Sequence, residues 1–204
     1  MLTLYGAKGS GAAAPEAALR IADVPFRWVE AASWEPGSGL EELKRVNPLA
    51  QIPTLVLDDG TVMTESAAIL ITLGLRYPQS GLLPAQPAQA IRGLVFIAAN
   101  CYSAIGIIDY PDRFCAGCDK QTGERIREGT KARLHQYWDM FADQFGGHMK
   151  PDQPAALDLL AAVVSRWSGA RAHLKEHRPA FHAMLERIEA HPRIADIFQR
   201  HWPK

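Results

Sequence analysis

The sequence predicts an α/β unit followed by an all-helical unit, and three observations support this division. Strand-like and helix-like segments alternate through residues 1–76, whereas only helical periodicity follows residue 90. The Pro- and Gln-rich segment YPQSGLLPAQPAQ, residues 77–89, separates the two regions and has the composition of a linker. We therefore expect two domains, at residues 1–78 and 88–204.

The first domain is expected to follow the order β-α-β-α-β-β-α. Patterning predicts strands over 2–5, 26–31, 54–57 and 61–64, and helices over 14–24, 40–46 and from 66 onward. A strand-helix-strand unit implies a parallel pair with a right-handed crossover. The closing hairpin, with its turn at Asp58-Asp59-Gly60, adds antiparallel strands, so we expect a mixed four-stranded sheet. The segment SWEPGSG, residues 33–39, is predicted to be a loop.

The second domain is expected to be a bundle of about five helices. Helical periodicity covers the segments 90–109, 123–145, 155–177, 180–190 and 192–200. No strand pattern, internal repeat or low-complexity tract interrupts them.

Composition excludes several classes of partner. The 204 residues include 22 Lys and Arg against 22 Asp and Glu, and this zero net charge argues against nucleic acid or a membrane surface as the partner. No unbroken apolar run approaches the roughly 18 residues of a membrane span, and MLTLYGAKGSG is not patterned as a secretory signal. Three cysteines, an odd number, favour a reducing cytoplasmic location.

One stretch, AQIPTLVLDDGTVMTESAAIL at residues 50–70, combines unusual features. Pro53 stands at the first residue of a predicted strand, where a missing N–H does no harm to a sheet. Glu65 and Ser66 place a carboxylate and a hydroxyl where the third helix begins. A plain hairpin followed by a capped helix would also explain this pattern.

The stretch NPLAQIPTLVLDDGTVMTESAAI, residues 47–69, resembles the glutathione-binding segment of the cytosolic glutathione S-transferases. The order of elements and the chain length agree with that family over essentially the whole sequence, and the first loop resembles a serine-type variant of its bacterial members. The resemblance implies a thioredoxin-like first domain, glutathione as co-substrate, no metal, and a homodimer.

The resemblance also implies a set of residues that bind the tripeptide. The backbone of Ile52, before a cis Pro53, would pair with the cysteinyl residue of glutathione as an added strand does. Glu65 and Ser66 would receive the γ-glutamyl end. Gln51 and Lys44 would reach the glycine carboxylate, with Trp34 nearby on a loop.

Two hydroxyls compete as the group that activates the thiol. The family uses a hydroxyl or thiol at the end of strand one or the start of helix one. Ser10 lies between two glycines just before helix one, and its hydroxyl is the first candidate. Tyr5 at the end of strand one is the second, and backbone N–H groups alone are the third. The loop has no cysteine and lacks the Ser-Ser-Cys-x-x-Arg signature of the maleylacetoacetate isomerase branch.

The resemblance implies that the helical domain forms a pocket for the electrophile next to the thiol. Its candidate lining residues are Asn100, Tyr102, Ser103 and Tyr110, with Tyr5 from the first domain, although core or interface packing would explain the same residues. Cys115 and Cys118 have C-x-x-C spacing without a second pair, so no metal site is predicted there.

The function that the resemblance implies is attack by the glutathione thiolate on a small hydrophobic electrophile, a detoxifying conjugation. Two alternatives stay open: a glutathione transferase-like scaffold without turnover, and a glutathione-dependent peroxidase.

Overall fold

A computed structural model describes residues 1–32, 34–35 and 39–203 of the chain. The loop predicted over residues 33–39 therefore lies partly outside the described residues.

The sheet has four strands: β1 (Leu2–Gly6), β2 (Phe26–Glu30), β3 (Thr54–Val56) and β4 (Val62–Met63). Their spatial order is β2-β1-β3-β4, with β1 parallel to β2 and antiparallel to β3, and β3 antiparallel to β4. Side chains alternate between the faces, so Leu4 joins the main core while Tyr5 packs with Leu43 on the other face. The predicted mixed sheet and thioredoxin-like arrangement are confirmed.

Three helices belong to the sheet region: α1 (Ala13–Ile21), α2 (Leu40–Val46) and α3 (Ser66–Arg76). The alanine-rich face of α1 is completely buried, with Ala13, Ala14, Ala17 and Ala18 at 0 % exposure. Such small side chains allow close approach of neighbouring elements, and α1 packs against α3 and against the helical region. The alanine run at the start of α1 is therefore a packing surface.

The helical region contains six further helices among the described residues. They are α4 (Ala88–Asp109), α5 (Lys120–Phe145), α6 (Ala156–Val164), α7 (Ala170–His177), α8 (Pro179–Glu189) and α9 (Ala195–His201). The prediction of one helix over 155–177 is wrong, because the chain turns between α6 and α7. Gly169, in the left-handed region at φ 78°, stands at the start of α7 and marks this break.

Helix α4 is regular at both ends but passes through a π-helical segment, Ile97–Tyr102. By length and composition alone, α4 could cross a membrane. This is not detected from the sequence when only unbroken runs of apolar residues are counted. A core helix of a globular protein meets the same two criteria, and α4 packs against α5 and α6. Segments of π-helix occur frequently at functional sites.

One hydrophobic core extends from the sheet into the helices. It includes Leu4 of β1, Leu70 of α3, Leu94 of α4 and Leu160 of α6. Helix α1 contacts α6 and α9, and α3 contacts α4 and α6. These contacts fix the start of α3 and the segment before β3 opposite the middle of α4.

Candidate functional site

A first cleft of about 360 Å³ lies where the segment before β3 and the start of α3 face α4. The described residues that line it come from both regions of the chain: Trp34, Gln51, Ile52, Pro53, Thr64, Glu65, Ser66, Ala67, Ala98, Tyr102, Ser103 and Leu160. The residues implied by the sequence at 51–53 and 65–66 are thus brought together.

A second cleft of about 230 Å³ adjoins the first, because Trp34, Ile52 and Tyr102 line both. Its other lining residues come from the glycine-rich loop and the helical region: Gly9, Ser10, Gly11, Ile105, Asp109 and Trp167. A larger cavity of about 790 Å³ shares no lining residue with either cleft.

The turn before β3 is held by a buried polar network. The Asn47 side-chain amide donates to the Gln51 carbonyl at 3.2 Å and to Thr54 Oγ1 at 3.0 Å, and Thr54 donates to the same carbonyl at 2.8 Å. The Ile52–Pro53 bond is cis, as the resemblance implied. Across the described part of the chain, nothing is hydrogen-bonded to the main chain of Ile52. Its N–H and C=O are therefore available to an added strand.

The start of α3 is an uncapped helix N-terminus at the edge of the first cleft. Glu65 has φ 61°, ψ 114°, a backbone conformation that costs a non-glycine residue about 1–3 kcal/mol. No side chain caps the helix, and Ser66 is 9 % exposed without a hydrogen-bond partner for its hydroxyl among the described residues. Such an end, with free N–H groups and a positive dipole, attracts a carboxylate.

Ser10 lies at the second cleft, but its hydroxyl is engaged within its own loop. Oγ donates to the Ala7 carbonyl at 2.7 Å and accepts from the N–H groups of Ala7 at 3.3 Å and Ala12 at 3.2 Å. A hydroxyl has one hydrogen to donate. The role predicted for Ser10 stays a prediction, and this arrangement weighs against it because that hydrogen already has an acceptor.

Tyr5 lines neither cleft. It is 3 % exposed, and its hydroxyl donates to Glu42 Oε1 at 2.8 Å. Burial, followed by the neighbouring Glu42 carboxylate, raises the pKa of Tyr5. Both features place Tyr5 in the packing between the sheet and α2, away from the pocket for which it was a candidate.

Three other predicted residues lie outside the lining of both clefts. The Lys44 ammonium is 2.7 Å from Glu41 Oε1 on exposed surface. Asn100 donates to the Phe96 carbonyl one turn earlier at 3.1 Å. Tyr110 is 48 % exposed beneath the Arg113 guanidinium. The structure therefore gives no contact that supports the binding roles predicted for Lys44, Asn100 and Tyr110.

Sequence reasoning missed several lining residues of the second cleft. Ile105 and Asp109 follow Tyr102 at helical spacings of three and seven, so periodicity could have found them. Burial raises the pKa of Asp109, with Arg127 opposing the shift. Trp167 comes from the turn between α6 and α7, which the sequence placed inside one helix, so no signal pointed to it.

The two cysteines at C-x-x-C spacing lie in a turn of the helical region. Cys115 and Cys118 are joined by a turn in which the Cys118 N–H donates to the Cys115 carbonyl at 3.2 Å. Within the described ranges, no three side chains of His, Cys, Asp or Glu are arranged to hold a metal ion.

A thioredoxin-like sheet region joined to a helical region, with a two-part cleft at their junction, defines the architectural class. Residues 14–75 match the family described as glutathione S-transferase, N-terminal domain. The chain is 26 % identical over 206 residues to the uncharacterized GST-like protein YncG of Escherichia coli K12, covering 98 % of each chain. Residues 14–75 therefore form a glutathione S-transferase N-terminal domain, and over nearly its whole length the chain is similar to a GST-like protein.

Two further similar proteins match different shares of this chain. A probable maleylacetoacetate isomerase of Caenorhabditis elegans is 41 % identical over 70 residues, which are 34 % of this chain and 31 % of that protein. A sphingomonad glutathione S-transferase, solved in complex with glutathione, superposes with a TM-score of 0.78 at 20 % identity, covering 99 % of this chain and 100 % of the other. At that identity, the superposition shows the shared fold.

Proposed function

We propose that the protein is a glutathione transferase that conjugates the glutathione thiolate to a small hydrophobic electrophile. One observation carries the proposal: the unpaired main chain of Ile52 and the uncapped, strained start of α3 line the same cleft of about 360 Å³. A short extended peptide with an α-carboxylate at one end matches both features.

The parts of glutathione correspond to the polar groups of the first cleft. The cysteinyl backbone would pair with Ile52 as an added strand. The γ-glutamyl carboxylate would accept hydrogen bonds from Ser66 and the N-terminus of α3, while the ammonium would meet the Glu65 carboxylate. Gln51 and Trp34, at the rim, would contact the glycine end, and Lys44 could join them only by leaving Glu41.

The second cleft is suited to the electrophile. Ile105, Trp167 and the Tyr102 ring give it apolar walls, and it adjoins the first cleft at Ile52. An electrophile held there would lie next to the thiol, which makes the attack effectively unimolecular.

Calorimetric titration with glutathione tests the binding half of this proposal. Glu65→Gln and Ser66→Ala should each weaken the affinity by about 10- to 100-fold, because each removes a charge-assisted contact of about 1.5–3 kcal/mol. Glu128→Gln, on the exposed side of α5, is the matched control and should bind as wild type does. Absence of glutathione binding to wild type would show that residues 51–66 form only a hairpin and a helix start.

Turnover tests the chemical half. An aryl halide and an organic hydroperoxide are assayed side by side, since a peroxidase would consume the second in preference to the first. The engaged hydroxyls of Ser10 and Tyr5 favour a second candidate, a glutathione-binding scaffold without turnover. Tight glutathione binding with neither substrate consumed would support that scaffold.

The proposed assembly is a homodimer. Leu75 on α3 and Val95 on α4 are 65 % and 50 % exposed, and burying such side chains against a second copy is favourable. Analytical ultracentrifugation should give twice the mass of one chain. Leu75→Glu should shift the distribution towards the monomer.

A further inference from the structure

The second cleft contains one hydroxyl that has no partner, and it comes from the helical region. Tyr102 lines both clefts at the point where they adjoin. No hydrogen bond to its Oη is present in the part of the chain that the structure describes. In contrast, the hydroxyls of Ser10 and Tyr5 donate to Ala7 and Glu42.

The position of this hydroxyl is defined by close contacts. A Cβ added to Gly11 would lie 2.5 Å from Tyr102 Oη and 3.6 Å from Pro53 Cδ. The hydroxyl therefore rests against the glycine main chain, beside the residue that follows Ile52. Only glycine at position 11 leaves room for it there. A cysteinyl residue paired with Ile52 would have its sulfur in this same space.

The tyrosine ring is held in place by its surroundings. Its centroid is 5.7 Å from that of Trp167. Tyr102 is also the last residue of the π-helical segment of α4, whose wider turns change the direction in which the following side chains point.

We propose that Tyr102 is the catalytic residue that activates glutathione, by donating its phenolic hydrogen bond to the thiolate sulfur. This assignment rests on the proposed function and names the group that the transferase reaction requires. The thiol releases its proton to solvent, and the resulting thiolate is stabilised by the O–H···S contact. When the thiolate attacks an aryl halide, the S–C bond forms, the carbon–halogen bond breaks, and the halide leaves with the bonding pair.

The environment keeps Tyr102 in the form that donates. Burial, and then the negative charges of Glu65 and Asp109, raise the pKa of Tyr102 to about 12. The phenol is thus protonated at neutral pH and remains a hydrogen-bond donor throughout the range in which the bound thiol ionises.

The decisive variant is Tyr102→Phe, which keeps the ring and its packing on Trp167. The pKa of bound glutathione is followed by the ultraviolet absorbance of the thiolate across a pH series, and kcat/KM is measured with an aryl halide. We expect the thiol pKa to rise by about one to two units and kcat/KM at neutral pH to fall about 10- to 100-fold. The Kd for glutathione should change by less than about threefold at a pH where the thiol is protonated.

One control, one competing variant and one independent variant complete the test. Tyr110→Phe, outside both clefts, is the control and should leave the thiol pKa unchanged. Ser10→Ala tests the competing assignment and should raise the thiol pKa less than Tyr102→Phe does. Gly11→Ala, whose new Cβ displaces the Tyr102 hydroxyl, should raise it as Tyr102→Phe does.

The outcomes separate this assignment from the proposed function. If wild type binds glutathione but Tyr102→Phe leaves the thiol pKa unchanged, the assignment to Tyr102 is overturned while the transferase proposal stands. If the thiol pKa rises in Ser10→Ala and not in Tyr102→Phe, Ser10 is the residue that activates the thiol. If wild type binds no glutathione, both proposals fall together.

Discussion

Glu16 on α1 is a buried carboxylate whose partners come from the last helix, and its removal gives a quantitative test of how the two regions are joined. Its side chain is 7 % exposed, and Oε2 lies 2.9 Å from Nε2 of the completely buried His201. Arg200 pairs with the other oxygen. The Gly9 N–H donates to His201 Nδ1 at 3.1 Å, so the hydrogen of the neutral ring is on Nε2 and points at Glu16.

The cost of Glu16→Gln follows from these contacts. The His201 hydrogen bond changes from charge-assisted to neutral, a loss of about 1–1.5 kcal/mol. The Arg200 pair contributes a further 0–1 kcal/mol, roughly the value for exposed pairs, because that side chain is 41 % exposed. We therefore expect Glu16→Gln to lower the free energy of unfolding by about 1–2.5 kcal/mol at pH 7.

The pH dependence has a defined sign. Burial acts to raise the pKa of Glu16, but the hydrogen bonds from His201 and Arg200 outweigh it, so the pKa lies below its ordinary value. Stability from such a group is complete above the unfolded pKa of about 4.3 and is lost as pH falls through the folded value. The gap between wild type and Glu16→Gln should therefore close below about pH 4.

Urea unfolding measures this gap, and the chain offers a matched control. Arg20 and Asp196 also join α1 to α9, at 3.3 Å, but are 48 % and 61 % exposed. Asp196→Asn should cost less than about 1 kcal/mol. Equal costs for Glu16→Gln and Asp196→Asn, or a gap that persists in acid, would refute this account of the buried carboxylate.

Two further predictions concern titratable groups of the helical region. Asp158 accepts from the N–H groups of Lys150 at 2.7 Å and Ala155 at 3.0 Å, so Asp158→Ala should cost about 2–4 kcal/mol in urea unfolding. Burial raises the pKa of Asp158 to about 6, so the folded protein takes up a proton at Asp158 before the unfolded chain does. The stability lost in Asp158→Ala should therefore be larger near pH 4 than near pH 7, by about 2–3 kcal/mol. A stability loss that does not vary with pH would contradict this. Burial, and then the facing His173, lowers the pKa of His135, whose buried Nε2 has no partner in the described chain. The contribution of His135 to stability should therefore fall below about pH 6.5, so wild type should lose more stability than His135→Phe between pH 7 and pH 5 in a thermal-melting series. Parallel pH profiles of the two proteins would contradict this.

The parts of the fold that the sequence predicts well are those with local signals. The strands around β3 and β4 follow from a proline, a turn at Asp58-Asp59-Gly60 and a short apolar alternation, and the structure gives that hairpin. The residues of the first cleft at 51–53 and 65–66 lie in the same short stretch, so the sequence could bring them together once the hairpin and the start of α3 were predicted correctly. The break between α6 and α7 was missed because Ser168-Gly169 is a weak signal within otherwise continuous helical periodicity.

Residue type alone could not predict which hydroxyl of the second cleft is free to donate a hydrogen bond. Ser10 was a reasonable candidate, since a hydroxyl between glycines before a helix suits an anion. Its oxygen, however, serves the main chain of its own loop, an alternative that local sequence does not exclude. Tyr102 reaches the same space from a distant helix through a π-helical segment, which has no recognised sequence signal here.

The alanine run and the engaged Ser10 belong to one arrangement. Ala12 at the start of α1 has no side-chain oxygen to cap the helix, and its N–H is satisfied by the Ser10 hydroxyl. The alanines are needed where they are, because α1 is buried against α3 and α6. The Ser10 hydroxyl is engaged at the start of α1, whereas Gly11 beside it leaves room for the Tyr102 hydroxyl, which has no partner among the described residues. Under the assignment proposed above, the polar contact with the thiol would therefore come from the helical region.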